Sequence, residues 1–216
     1  MKSLGIMRTK AYKLIGLAVI LSVAAIAAIA IAEDSQASRE YQVKAAFLYN
    51  FIQFVEWPPQ KLSDSSKSIN IAILGKDPFG KAFEPIKDKK IKGKDVVIKR
   101  YKSFEEMKNL QGKDSSEPPE KIEALAECHL LFICSSEREK LKEIINVVKD
   151  YSILTVGEMD GFLEAGGIIN WFVEDNKVRF EINLYAAEKS NLEIRSKLLR
   201  LAKRIIEEDS SQAKEK

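Results

Sequence analysis

Histidine is almost absent from this 216-residue chain, with His129 as its single instance, and cysteine is limited to Cys128 and Cys134. That scarcity removes several chemistries at once. His129 sits inside the apolar run CHLLFIC, with no serine or acid at a spacing that suggests a catalytic triad, so it reads as a structural histidine. Neighbours on a strand point to opposite faces, so Cys128 and His129 cannot readily share one metal ion. No G-x-G-x-x-G follows a predicted strand. The glycine run Gly161, Gly166, Gly167 is followed by Ile168 and Ile169, where a phosphate-binding loop needs a Lys-Ser/Thr pair. Those glycines are expected to permit a tight turn with φ > 0. The residues supply no catalytic set, no cofactor site and no metal site, and the chain is expected not to be an enzyme.

Acid is missing too, but only locally. Residues 1–32 contain Lys2, Arg8, Lys10 and Lys13 and no Asp or Glu; of 35 basic side chains, 31 therefore remain against 32 acidic ones beyond residue 32. The formal charge of +3 belongs to this leader, and the near-neutral remainder gives no support for nucleic-acid binding. An uncharged run, Leu14 to Ala32, then ends in the small residues Ala30-Ile31-Ala32 before Glu33-Asp34. This is the pattern of a signal peptide over residues 1–32, cleaved after Ala32. The run also approaches the ~20 residues that span a bilayer, which leaves a retained N-terminal anchor as the alternative. Either way the rest of the chain is expected to be exported.

An exported chain meets oxidising conditions. Six strand steps of ~3.3 Å would hold the Cα atoms of Cys128 and Cys134 about 20 Å apart, well beyond the ~7 Å limit of a disulfide. Two small apolar residues on one strand face are the default. A local disulfide is the rival, and it requires the strand to end early.

What the chain has in abundance lies between Glu40 and Pro59, EYQVKAAFLYNFIQFVEWPP. On a helix, Val43, Phe47, Leu48, Phe51, Ile52, Phe54 and Val55 cover one broad arc, wide enough to need a sheet beneath it. Lys44 lands near the middle of that arc. It either snorkels from the first turn or enters a buried ion pair, for which Glu181 is the candidate partner. Strands are then expected over Ile69–Leu74, Asp95–Tyr101, Cys128–Cys134 and Ile153–Val156, alternating with helical segments, one of them opened by a capping box at Ser136. Ile168–Val173 and Val178–Leu184 read as an antiparallel hairpin, and Leu198 to Ile206 as a final amphipathic helix.

The fold class is therefore α/β: a Rossmann-like layered fold whose mostly parallel sheet of about six strands carries a C-terminal antiparallel hairpin, with helices on both faces. Residues 33–39 read as a linker, 40–206 as the domain and 207–216 as a disordered tail. The polar stretch 111–120 has the composition of an exposed loop. Tyr49, Trp57, Phe162 and Trp171 are candidate contact residues, because aromatic side chains are favoured at protein interfaces.

Taken together, Tyr41 to Phe51 with Trp57-Pro58, Ile73-Leu74-Gly75 with Asp77-Pro78-Phe79-Gly80, and Cys128-His129 before a strand resemble the YfiR-like family. So do Leu154-Thr155-Val156-Gly157, Gly161-Phe162 with Gly166-Gly167, Arg179 to Leu184, and Ser196 to Leu201. Departures are the polar insertion at 111–120 and Asn191 where glycine is expected. The resemblance implies a periplasmic protein of Rossmann-like layering without a nucleotide site and without catalytic residues. Its namesake restrains a membrane-bound diguanylate cyclase by binding that enzyme's periplasmic part, and often dimerises. A membrane-bound signalling partner in the inner membrane and a homodimer are thus the expected associations. A periplasmic small-molecule binding protein feeding a membrane receptor, through a pocket lined by the glycine loop and the hairpin, is the second reading.

Overall fold

The computed structural model describes residues 38–63, 67–86, 88–109, 125 and 127–208. The leader, the stretch 111–120 and most of the tail fall outside them. The chain divides after Tyr41. In the first unit, residues 38–41 are helical, Ser38 and Arg39 of the expected linker included.

In the second unit, helix α1 covers 42–54 and buries Ala45, Leu48, Phe51 and Ile52 completely. The packed face runs i, i+1, i+4, i+7, i+8 from Lys44, which turns Val43 outward to 47 % exposure instead of into the arc. The helix stops short of Pro58 because Val55–Glu56 (β1) leaves it to pair antiparallel with Glu193–Ile194 (β8).

The remaining strands form one seven-stranded sheet. They are β2 (Ser68–Leu74), β3 (Asp95–Tyr101), β4 (Cys128–Ile133), β5 (Leu154–Gly157), β6 (Ile169–Glu174), β7 (Lys177–Asn183) and β9 (Ile205–Ile206). Their order is β3-β2-β4-β5-β6-β7-β9, parallel from β3 to β6, antiparallel between β6 and β7, and parallel again between β7 and β9. The hairpin turns through Asp175 and Asn176, both at positive φ as a two-residue turn demands.

A register shift where β4 pairs with Asn70 puts Cys128 on the same side as Leu131 and Ile133. That side is covered by helix α2 (Phe104–Asn109) and helix α3 (Leu141–Val148), whose Leu141, Ile144, Ile145 and Val148 are buried. Phe132 points the other way, into an aromatic cluster beneath α1. There Phe51 meets Phe180 at 5.0 Å and Trp171 at 6.0 Å, and Phe132 meets Trp171 at 5.4 Å and Phe79 at 4.9 Å. Such offset and edge contacts add to the burial of the rings themselves.

Two local expectations are corrected, and one departure from the family pattern is explained. The capping box does not form, because the Ser136 hydroxyl accepts a hydrogen bond from the Lys76 amide at 2.9 Å; residues Ser135–Lys140 are a 3-10 segment ahead of α3. The final amphipathic helix is a single turn, α5 (Ser196–Leu199), and Ile205–Ile206 extend the sheet instead. Their spacing suits either structure, and the unpaired edge of β7 decides for the strand. Past helix α4 (Leu184–Lys189), Asn191 takes φ +54°, so asparagine serves in the left-handed position where glycine was expected.

The glycine loop is built around one ring. Phe162 is fully buried between Gly157 and Gly167, and a Cβ on either glycine would come within 3.0 Å of that ring. Gly161 and Gly166 sit at φ +78° and +95°. Gly167→Ala is expected to cost about 1–3 kcal/mol through overpacking and Phe162→Ala about 3–5. Urea denaturation of the double variant should give less than the sum, because the added methyl then has room.

Candidate functional site

In an open parallel sheet, ligands favour the crevice where strand order reverses, beyond the carboxyl ends of the strands. Here that point lies between β2 and β4, and the chain fills it with its own groups. Gly75 donates its amide to Tyr101 and Cys134 donates to Leu74, both at 2.9 Å, while Ser136 sits so close to Gly75 that a Cβ there would collide with it. The buried Glu137 carboxylate accepts the Phe104 amide at 3.2 Å and so fixes the start of α2.

One strand further on, the loop after β5 opens with Glu158. Its carboxylate accepts a hydrogen bond from the Lys44 ammonium, which is only 4 % exposed and also lies 5.9 Å from the Trp171 ring centre. The buried ion pair read from the sequence therefore exists with a different acid. Glu181 instead takes Arg204, whose Nε donates at 2.6 Å, and accepts a longer contact from Asn170 at 3.4 Å. Sequence spacing could not separate the two carboxylates, because each lies in or beside an apolar strand. The pair is chosen by the end of β5, which carries Glu158 under the first turns of α1.

The same loop is fastened by side-chain amides and a hydroxyl. The Thr155 hydroxyl accepts from Ile168 at 3.0 Å, Asn170 accepts from Met159 at 3.1 Å, and Asn183 donates to the Leu163 carbonyl at 3.0 Å while capping α4 at Ala186. Beyond these clamps, Leu163, Ala165 and Gly166 form one wall of a cleft of about 450 Å³ between α3 and α4, with Lys142, Lys149 and Lys189 around it.

The sequence matches the YfiR/HmsC-like family over residues 41–203, from α1 to the residue that leads into β9. The chain belongs to that family. Two solved structures are similar in part: a conserved domain protein from Vibrio cholerae O1 biovar El Tor, at 10 % identity and a TM-score of 0.43 over 68 % of this chain, and an ABC domain in complex with L-Trp from Streptococcus pneumonia, at 9 % and 0.47 over 73 %. This chain spans 57 % and 60 % of their respective lengths. No curated protein matches it.

Within this YfiR/HmsC-like domain, the aromatic side chains expected to meet a partner have other work. Phe162, Trp171 and Trp57 are buried at 0 %, 2 % and 8 % exposure, because the first fills the glycine slot, the second lies under α1 and the third packs edge-on against His129 at 6.1 Å. Tyr49 alone reaches the surface, and its hydroxyl donates to the Lys90 carbonyl at 2.9 Å. The disulfide does not form: Cys128 and Cys134 are both free and buried, one at the start of β4 and the other just past its end. Nor do they share a face, since the shifted register puts Cys128 with Leu131 and Ile133. Burial pushes both thiols up to about 12, which makes them poor nucleophiles.

His129 is structural, as its apolar strand suggests. Its Nδ1 accepts the Asn70 amide at 3.1 Å and its Nε2 faces the Lys61 carbonyl at 3.3 Å, so the neutral ring with a proton on Nε2 satisfies both. Burial first, and the Lys61 charge second, bring its pKa down from 6.5 to about 4.

Two outcomes follow from this geometry. Glu158→Gln should cost on the order of 3 kcal/mol, because it takes the carboxylate away from a buried ammonium, while Glu181→Gln, facing a half-exposed arginine, should cost less than about 1. Thermal melts of both variants separate the two carboxylates. For His129, the unfolded chain binds a proton near pH 6.5 and the folded one only near pH 4, so stability is complete above that window and declines as pH falls through it. Urea denaturation should show a loss on the order of 2 kcal/mol between pH 7 and pH 5, absent in His129→Gln.

Proposed function

We propose that this chain is an exported, non-enzymatic regulator of the periplasm that binds a membrane-bound signalling protein and restrains it, with a diguanylate cyclase as that protein. The observation that carries the reading is the family match across residues 41–203, which covers nearly all of the body described here. The basic and apolar leader, residues 1–32, supports export, either as a removed signal or as an anchor. Among the described residues, no helix is long and apolar enough to cross a membrane.

The geometry supports recognition rather than turnover. The buried titratable groups are committed to the fold: His129 joins β4 to β2 and the segment at Lys61, Lys44 and Glu158 hold α1, and Glu137 holds α2. The surface, in contrast, keeps large apolar side chains in water. Val43 on α1, Val173 near the hairpin tip and Leu201 after α5 are 47 %, 53 % and 64 % exposed. These, with Tyr49, replace the buried aromatics as the contact residues in this proposal. A homodimer, implied by the family, belongs to the same reading.

The test is capture from membranes. The full chain, expressed with its leader, should co-purify with an inner-membrane signalling protein. Val43→Asp, Val173→Asp and Leu201→Asp should weaken that association by about tenfold or more for at least one site while leaving the melting temperature unchanged. Retention of the partner by all three variants, or no partner at all, would overturn the surface or the reading respectively.

A further inference from the structure

The cleft between α3 and α4 lies apart from the exposed apolar residues assigned above to partner binding, and its chemistry is specific enough to name an occupant. Its floor is apolar, with Ile145, Leu163 and Ala186 at 7 %, 0 % and 8 % exposure. Around the mouth stand three cations. Lys142, Lys149 and Lys189 are all exposed, and none of them has a carboxylate partner among the described residues. Lys149 donates to the neutral Asn146 side chain at 2.8 Å, and Lys189 lies 5.3 Å over the Tyr185 ring, so neither charge is cancelled. The one acid of the wall, Glu164, faces Arg204 at 3.3 Å.

We propose that this cleft binds a small amphipathic carboxylate, its apolar body on the Ile145–Leu163–Ala186 floor and its anionic head among Lys142, Lys149 and Lys189. About 450 Å³ falls within the range of small-molecule sites. The mouth offers ammonium point charges on flexible stems and no arginine fork, so it attracts an anionic head without fixing its geometry, and a carboxylate on an apolar body matches this charged rim over an apolar floor. The site also touches the rest of the fold through one segment. Leu163 to Gly166 form its wall, and the same loop begins at Glu158, the carboxylate that holds Lys44 of α1. An occupant therefore packs against the loop that anchors the first helix.

The experiment uses the protein expressed with its leader and recovered from the cell envelope, labelled with a diazirine derivative of octanoate. Adducts should map to 163–166 and 185–190. Octanoate should compete for labelling, and octanamide, of the same shape without the charge, should do so at least threefold less well. The double variant Lys142→Gln/Lys189→Gln, altered only at exposed positions, should weaken octanoate competition roughly threefold to tenfold with its melting temperature unchanged. Ala165→Leu, which intrudes on the cleft from the loop, should remove labelling of both peptides. Adducts confined to other regions, equal competition by octanamide, or unchanged competition in the lysine variant would overturn the assignment. None of these outcomes depends on whether a membrane protein is captured, so the two proposals fail separately.

Discussion

A buried ammonium must have an anion beside it, and much of this molecule is arranged to supply one. Lys44 lies in the packed face of α1, where the helix also buries Leu48, Phe51 and Ile52. Moving the charge out would rotate those side chains off the aromatic cluster, so the acid must come to the lysine. Glu158 arrives because β5 ends at Gly157, where the absence of a side chain lets the chain turn tightly over Phe162. The docking of α1, the length of β5 and the glycines of the following loop are thus one problem with one solution.

That loop joins both sides of the protein. Its first residue reaches α1 on one face of the sheet, and its later residues line the cleft between α3 and α4 on the other. Three polar side chains from β5, β6 and β7 hold it through its backbone. In this YfiR/HmsC-like chain the segment that reaches both faces is 158–166.

The layered fold was legible in the sequence because strand and helix periods alternate cleanly. The near-continuous apolar run of β4 marked a central strand, and the observed bounds of β3 are those read from DVVIKRY. Where the reading failed, a long-range partner had overridden local pattern. Val55 and Glu56 continue the helical spacing of α1, yet pair with a strand almost 140 positions away in β8. Ser136 has the spacing of a cap, yet its hydroxyl serves the backbone of Lys76. The aromatic side chains suggested an interface, and the sheet claimed Trp171 and Phe162 for its interior. The glycine-loop wall of the cleft and its Asn183 lie where the sequence reading places a pocket, but its lysines come from two helices separated by the hairpin and look in the sequence like ordinary solvated charges.

The short strand β9 bears on where this domain stops. Similarity to the family runs out at residue 203, but the hydrogen-bonded sheet does not: Ile182 donates to the Arg204 carbonyl at 2.9 Å, and Ile205 and Ile206 complete the ladder beside β7. Arg204 also ties Glu181 to Glu164 across that edge. A boundary drawn by sequence kinship would amputate the selvedge of the fabric, and the cut would fall on the three residues that keep it from fraying.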